Sequence, residues 1–175
     1  FSILPSNSYL KSHWLALYEA ISRTNVILTN MEKVTFLNEG SKARYAGEAK
    51  FIRALMYFEL VRKWGPVPLV TEQLSTLDQV SAKTFRVPEA EVYNQIVADL
   101  KAGLDSDLPN FQSASGIGRT SKAALNAYLG KVYLTMATTL PDNKAENLQQ
   151  ANTYLLAAYN MRTFGSLAEI PYADV

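Results

Sequence analysis

The residues from Gly47 to Glu72, GEAKFIRALMYFELVRKWGPVPLVTE, leave this chain few ways to fold. Ala49, Ile52, Met56 and Leu60 recur at steps of three and four, and Phe51, Leu55 and Phe58 form a second stripe beside them. Apolar side chains over so much of the circumference predict a helix packed on more than one side. Gly65, Pro66 and Pro68 then follow Trp64. Proline lacks an amide hydrogen and pushes its predecessor out of the helical region, so the helix must end here and the chain must leave it extended. Gly65, Pro66 and Pro68 are therefore assigned a structural part in this break. One charge stands inside the apolar helix. Arg53 lies between Phe51-Ile52 and Ala54-Leu55-Met56, and a guanidinium buried there needs a partner, because an isolated buried charge is very costly. It either captures a ligand or pairs two helices. The ion pair is the preferred reading, with Asp99 as the carboxylate and Glu48 and Glu19 as alternatives.

The rest of the chain supplies partners for that helix. Residues Asn7 to about Val34 predict a long first helix with Trp14, Leu17, Tyr18, Ile21, Asn25 and Leu28 on one face and Ser6 or Ser8 as its cap. Asn38 to Ser41 break it. The central helix, about Lys42 to Lys63, returns antiparallel. Trp64 to Val87 reads as loop with a short strand at Val67–Thr71, and so long an irregular stretch marks a functional loop. Pro88 suits a first helical turn, with Glu89 and Glu91 complementing the helix N-terminus. The third helix runs to about Asp105 with Val92, Ile96, Leu100 and Leu104 on one stripe. Ser106–Gly118 is a surface loop. A fourth helix begins after Ser121 as N-cap and ends near Thr138. The fifth covers about Lys144 to Met161 with Leu148, Ala151, Tyr154, Leu155 and Ala158 inward, and Ser166–Val175 is an extended tail. The predicted fold is all-α: antiparallel helical hairpins stacked in a single domain with long loops. Leu129-Gly130-Lys131-Val132-Tyr133 fits part of a tetratricopeptide helix, but the ~34-residue repeat is not kept, and the plainer reading is a small-residue helix crossing.

Composition narrows function. The chain has 175 residues, 19% of them charged, a net charge of +1 and no cysteine. That balance speaks against a nucleic-acid interface, which needs clustered positive charge, and without cysteine there are neither disulfides nor thiolate metal sites. No apolar run reaches the roughly 18–20 residues of a membrane span. The sequence begins with Phe1 and shows no leader, which suggests a processed piece of a longer protein. The single histidine, His13, has no Ser or Cys partner placed for a triad and no companions for a zinc site. Asp105 and Asp107 fail the spacing of a calcium loop because Pro109 and Asn110 occupy ligand and glycine positions. Gly116-Ile117-Gly118 lacks the lysine and remaining glycines of a phosphate loop. The reading is therefore a protein with no cofactor, no metal and no catalytic residues. Of the aromatic residues, Trp14, Tyr18, Tyr57, Tyr133 and Tyr154 fall at helical spacing and are assigned to packing. Trp64 and Phe111 stand in loops and are the candidates for stacking on a sugar ring.

EAKFIRALMYFELVRKWGPVPLV resembles the signature of the RagB/SusD family of outer-membrane glycan-binding lipoproteins, in which an EA+FLRA helix runs into a GDVPL-like turn; Pro66 stands here where the family commonly has Asp. The likeness extends to W-x-x-L-Y-x-x-I-x-x-x-N from Trp14 to Asn25, to Val92-Tyr93 with Ile96, Asp99 and Leu100, to Gly118–Ala124 and to the tail from Leu167. It implies a tetratricopeptide-like N-terminal helical part of a longer protein. It also implies a non-catalytic role: holding oligosaccharides or other nutrients at the bacterial surface and delivering them to a SusC-like TonB-dependent transporter. The membrane is reached only through a lipid on a cysteine absent from this sequence. The competing reading is a helical protein-interaction scaffold without a ligand site of its own. The resemblance further implies that the missing C-terminal part covers apolar residues left open near Tyr154–Phe164.

Overall fold

The computed structural model describes residues 7–162 and 165. Among them are six α-helices: α1 (Ser8–Asn30), α2 (Glu39–Trp64), α3 (Leu77–Lys83), α4 (Glu89–Leu104), α5 (Lys122–Thr139) and α6 (Lys144–Asn160). The only strands described are the two-residue β1 (Val67–Pro68) and β2 (Arg86–Val87), paired antiparallel. The fold is that of helical hairpins, and the chain divides into two compact units, Phe1–Leu108 and Pro109–Val175.

In the first unit α2 packs against both α1 and α4. Its core joins Leu17 and Ile21 of α1, Ala54, Tyr57, Phe58, Leu60 and Val61 of α2, and Val92, Tyr93, Ile96 and Leu100 of α4. Two buried neighbours explain why apolar residues nearly encircle α2. The inner face is rotated from the expected stripe: Ile52 is 42% exposed, while Arg53 and Ala54 are buried. Local ends also differ from expectation. Asn7, rather than Ser6 or Ser8, caps α1, its side chain accepting from the Tyr9 and Leu10 amides at 3.0 and 3.2 Å. α2 begins at Glu39, earlier than Lys42, because Asn38 caps it through the Gly40 amide at 2.8 Å. Pro88 is the N-cap of α4, one place before the first turn.

The break after Trp64 depends on Gly65. Its φ of 65° and ψ of −128° lie in a region that only glycine occupies comfortably, and its amide still closes the helix on the Val61 carbonyl at 2.9 Å. Past it, only Val67–Pro68 forms a strand, not the expected Val67–Thr71. The physical reason is that side chains from the helices take the backbone groups of Val70 and Thr71. A second difference is α3, a helix inside the supposed loop. Thr76 and Gln79 form a reciprocal capping box at its start.

The second unit is the α5–α6 hairpin, with short 3-10 turns at Ala114–Gly116 and Pro141–Asn143. The Ser121 side chain caps α5 by accepting from the Ala124 amide at 3.3 Å. Gly130 is the crossing point: a Cβ there would lie 2.6 Å from Leu155 Cδ2 and 3.2 Å from the Leu155 backbone nitrogen. One turn on, Tyr133 and Tyr154 stack with ring centres 5.7 Å apart and planes 2° from parallel. Ala151 is buried in α6 as expected, but Leu148 and Leu155 are 42% and 41% exposed. A single helical partner covers only one strip of α6. Leu156 and Tyr159 are also exposed, with the Arg162 guanidinium lying 3.5 Å above the Tyr159 ring. Phe164 and the tail from Ser166 lie outside the described residues.

Candidate functional site

The long segment after α2 is the most specialised part of the first unit, and it rests on a buried polar network. Arg53 Nε donates to Asp99 Oδ2 at 2.8 Å and Arg53 Nη2 to Asp99 Oδ1 at 2.7 Å, a two-pronged pair between α2 and α4. The two side chains are only 6% and 4% exposed. The other arm, Nη1, donates to Asn25 Oδ1 at 2.8 Å and to the Thr71 carbonyl at 2.7 Å. Asn25 is itself buried, and its Nδ2 donates to the carbonyls of Val70 and Glu72 at 2.9 and 3.2 Å. The Tyr57 hydroxyl donates to the Val70 carbonyl at 2.8 Å and accepts from the Val70 amide at 2.7 Å. The Tyr18 hydroxyl donates to the Pro68 carbonyl at 2.7 Å. Of the two alternative carboxylates, Glu19 pairs with Arg23 on the surface of α1, and Glu48 lines a groove between α1 and α2.

Burial leaves its mark on the phenols. It pushes the Tyr57 hydroxyl up to about 12, against the opposing pull of its bond to Val70 and of Arg53. It raises Tyr18 as well, with the neighbouring Tyr57 adding to the effect and Arg86 opposing it. Neither hydroxyl is a nucleophile at neutral pH. The donors of Arg53, Asn25, Tyr18 and Tyr57 described above all face the chain's own carbonyls and carboxylate. This is an arrangement for holding backbone rather than for proton transfer.

Aromatic rings continue the network toward the end of α2. Trp64 meets Trp14 edge to face at 5.2 Å, Trp14 contacts Tyr18 at 4.9 Å, and Tyr18 meets Tyr57 edge to face at 6.5 Å. His13 stacks on Trp64 at 5.9 Å, and its Nε2 lies 2.8 Å from Lys63 Nζ. Trp64, expected in a loop, is instead the last residue of α2, because the helix closes only on the Gly65 amide, and it is half-buried among other rings. Phe111, the second candidate, belongs to the other unit and is 44% exposed. Several hollows open on the first unit, among them these three. One of about 410 Å³ lies between α1 and the loop, bordered by Tyr18, Ser22, Glu72, Gln73 and Val80. One of about 460 Å³ is apolar, with Val26, Ile27, Val34, Phe36 and Tyr45 in its walls. A third of about 340 Å³ is floored by Trp14, Tyr18 and Pro68. Among the described residues no group of three His, Asp or Glu side chains is placed to hold a metal, and no helix is long and apolar enough to cross a membrane.

Sequence reasoning had Tyr18 and Tyr57 as packing residues, placed Asn25 on the same helix face without a role, and passed over Arg86, whose Nη1 donates to the Pro66 and Trp64 carbonyls at 2.9 and 3.3 Å. A signal for Asn25 was present: an amide in line with Leu17 and Ile21 on a face otherwise apolar must find buried partners.

Residues 2–134 match a SusD-like family described as "Starch-binding associating with outer membrane". The chain belongs to the SusD-like family. A SusD-like protein of Formosa agariphila is 32% identical over 135 residues, covering 77% of this chain and 26% of that protein. One from Bacteroides ovatus is 29% identical, covering 77% and 24%. Among solved structures, a laminarin-binding SusD-like protein superposes with a TM-score of 0.67 at 35% identity, covering 81% of this chain and 29% of the other. A SusD homologue from Bacteroides thetaiotaomicron gives a TM-score of 0.79 at 28% identity, covering 95% and 32%. The SusD-like chain described here therefore spans about a quarter of the length of the curated relatives it matches. Arg53, Asp99, Asn25 and the whole of the anchored segment fall within the family match; α6 falls outside it.

Proposed function

We propose that this chain is the N-terminal helical part of a non-catalytic protein that captures oligosaccharides or other nutrients at the bacterial cell surface. The whole protein delivers them to a SusC-like TonB-dependent transporter in the outer membrane, held there by a lipid anchor outside these residues. The observation that carries this reading is the family match over residues 2–134, to a family described by starch binding and outer-membrane association. The 35% identity to a laminarin-binding relative supports a glycan as the ligand class. The inward use of Arg53, Asn25, Tyr18 and Tyr57 supports a scaffold rather than an active site. The ligand-contacting groups lie largely outside this chain. Of the two sequence candidates, Phe111 is the one in a loop and 44% exposed, which suits it to sugar stacking, and Trp64 is retained behind it.

Isothermal titration of the full-length protein against laminarin, starch and other oligosaccharides tests the proposal, together with an assay for new reducing ends. Binding without hydrolysis is the expected result, and binding is expected to weaken or vanish with residues 1–175 alone. Hydrolysis of any bound sugar would overturn the non-catalytic role. Co-purification with a transporter and no sugar binding at all would favour the interaction-scaffold reading.

A further inference from the structure

We propose that Arg53 is a positioning residue for the surface loop formed by residues 73–86, acting through Asn25 and the backbone of residues 70–72. From Ser75 to Arg86 every residue is exposed, and α3 buries none of its side chains. A helix of seven residues is far below the ~12–15 that stand alone in water, so its place is fixed by its own caps, by the exposed pair of Lys83 with Glu72 at 3.6 Å and by the two ends of the loop. The caps are local: Thr76 Oγ1 accepts from the Gln79 amide at 3.2 Å, and Gln79 Oε1 accepts from the Ser75 and Thr76 amides at 2.7 and 3.2 Å.

The returning end is held by the pairing of Val67 with Val87 and by Arg86 on the carbonyls of Trp64 and Pro66. The outgoing end is held by the buried network, in which Arg53 hydrogen-bonds α4, α1 and the segment together. Its bond to Asn25 Oδ1 also sets which way the Asn25 amide faces. With the oxygen turned to the guanidinium, Nδ2 must point at the carbonyls of Val70 and Glu72. The next residue, Gln73, meets α1 through its amide on Thr29 Oγ1 at 3.3 Å and its Oε1 on Asn30 Nδ2 at 2.9 Å. Arg53 therefore governs where the loop departs from the helices, and so where the exposed Leu77 and Phe85 are presented (83% and 75% exposed).

Arg53→Lys separates this role from a merely structural one. Lysine keeps a positive charge for Asp99 but has no second arm for Asn25 and Thr71. Hydrogen exchange of the protein, read by peptide, is expected to show protection over residues 70–86 falling by about tenfold or more, the equivalent of one or two lost hydrogen bonds, with α2 and α4 changed by less than about twofold. Unchanged exchange over 70–86, or a loss shared equally with α2 and α4, would overturn the proposal. Asn25→Asp gives a second reading should Arg53→Lys not fold. It preserves shape and the contact with Arg53 but removes both donors to the segment, and the same local loss is expected. Wild-type exchange over 70–86 in that variant would equally sink the idea.

Discussion

Replacing Arg53 with Ala tests the energetics of the central helix. Asp99 is 4% exposed at its side chain, and both of its oxygens depend on Arg53. Removing the guanidinium leaves that carboxylate buried and uncompensated, which costs about 3–5 kcal/mol. Asn25 Oδ1 and the Thr71 carbonyl lose a donor as well, each on the order of 1 kcal/mol if water does not replace it. The carboxylate term alone, near ~4 kcal/mol, is a large part of the ~5–15 kcal/mol that holds a typical domain together. The two tryptophans, Trp14 and Trp64, both lie in the first unit, so their fluorescence in a urea titration reports on that unit by itself. With a urea slope of about 1–3 kcal/mol per molar, the midpoint should fall by roughly 2 M. The double variant Arg53→Met with Asp99→Leu leaves no stranded charge and should be the more stable of the two, although Asn25 and Thr71 still lack their donor. A loss below about 1 kcal/mol for Arg53→Ala, or a double variant worse than the single one, would refute the assignment of a buried, mutually dependent pair.

Three further outcomes follow from the same geometry. Tyr57 is raised from an ordinary value of 10.0 to about 12, so the unfolded chain releases its proton first. Stability is whole below about pH 10 and falls by about 1.4 kcal/mol per pH unit between about 10 and 12 on account of this group; Tyr57→Phe should remove that share of the slope, and equal slopes in the two proteins would count against it. Gly130→Ala should destabilise the α5–α6 hairpin by about 1–3 kcal/mol despite alanine's better helix propensity, because the new Cβ meets Leu155 Cδ2 at 2.6 Å; near-ultraviolet dichroism of the Tyr133–Tyr154 stack would report it, and a gain in stability would contradict it. Gly65→Ala should cost about 1–3 kcal/mol in the tryptophan-detected transition, since its φ of 65° and ψ of −128° suit no other residue; an unchanged midpoint would show that the turn relaxes freely.

How much of this was readable beforehand varies with the physics. The helices were legible because their periodicity is long and strong, as in the Val92, Ile96 and Leu100 stripe of α4. The faces were less so. Ile52 and Leu155 sit at proper helical spacing, yet apolar spacing alone does not say how many neighbours a helix has. The strand over Val67–Thr71 failed for a different reason. The segment is extended, but past Pro68 its hydrogen-bond partners are Tyr57, Asn25 and Arg53 instead of another strand, and no local pattern reveals a partner that arrives from a distant helix. The α3 helix was missed although Thr76-x-x-Gln79 announces a capping box, because the surrounding residues lack the apolar stripe on which helices are usually recognised.

The same contrast explains why the scaffold can be read while the ligand cannot. Arg53, Asn25, Tyr57 and Gly65 are constrained by groups of this chain: a carboxylate, backbone carbonyls and a backbone angle that few residues allow. Changing any one of them leaves a stated group without its partner, so their identities follow from the fold. Leu77 and Phe85 carry no such constraint, for α3 buries nothing and the two side chains are 83% and 75% exposed. Residues at those positions can change without loss to the core, and what they present is set by whatever lies outside the chain. A segment whose base is fixed by a buried ion pair and whose tip is free to vary is suited to proteins that share one helical frame and differ in what they recognise. By that logic, grafting residues 75–85 from a relative, with Arg53, Asn25, Tyr57 and Gln73 kept, should leave the unfolding free energy within about 0.5 kcal/mol of the original, the range of surface substitutions that touch nothing buried. A larger drop would show that the loop carries stability of its own and is no free surface.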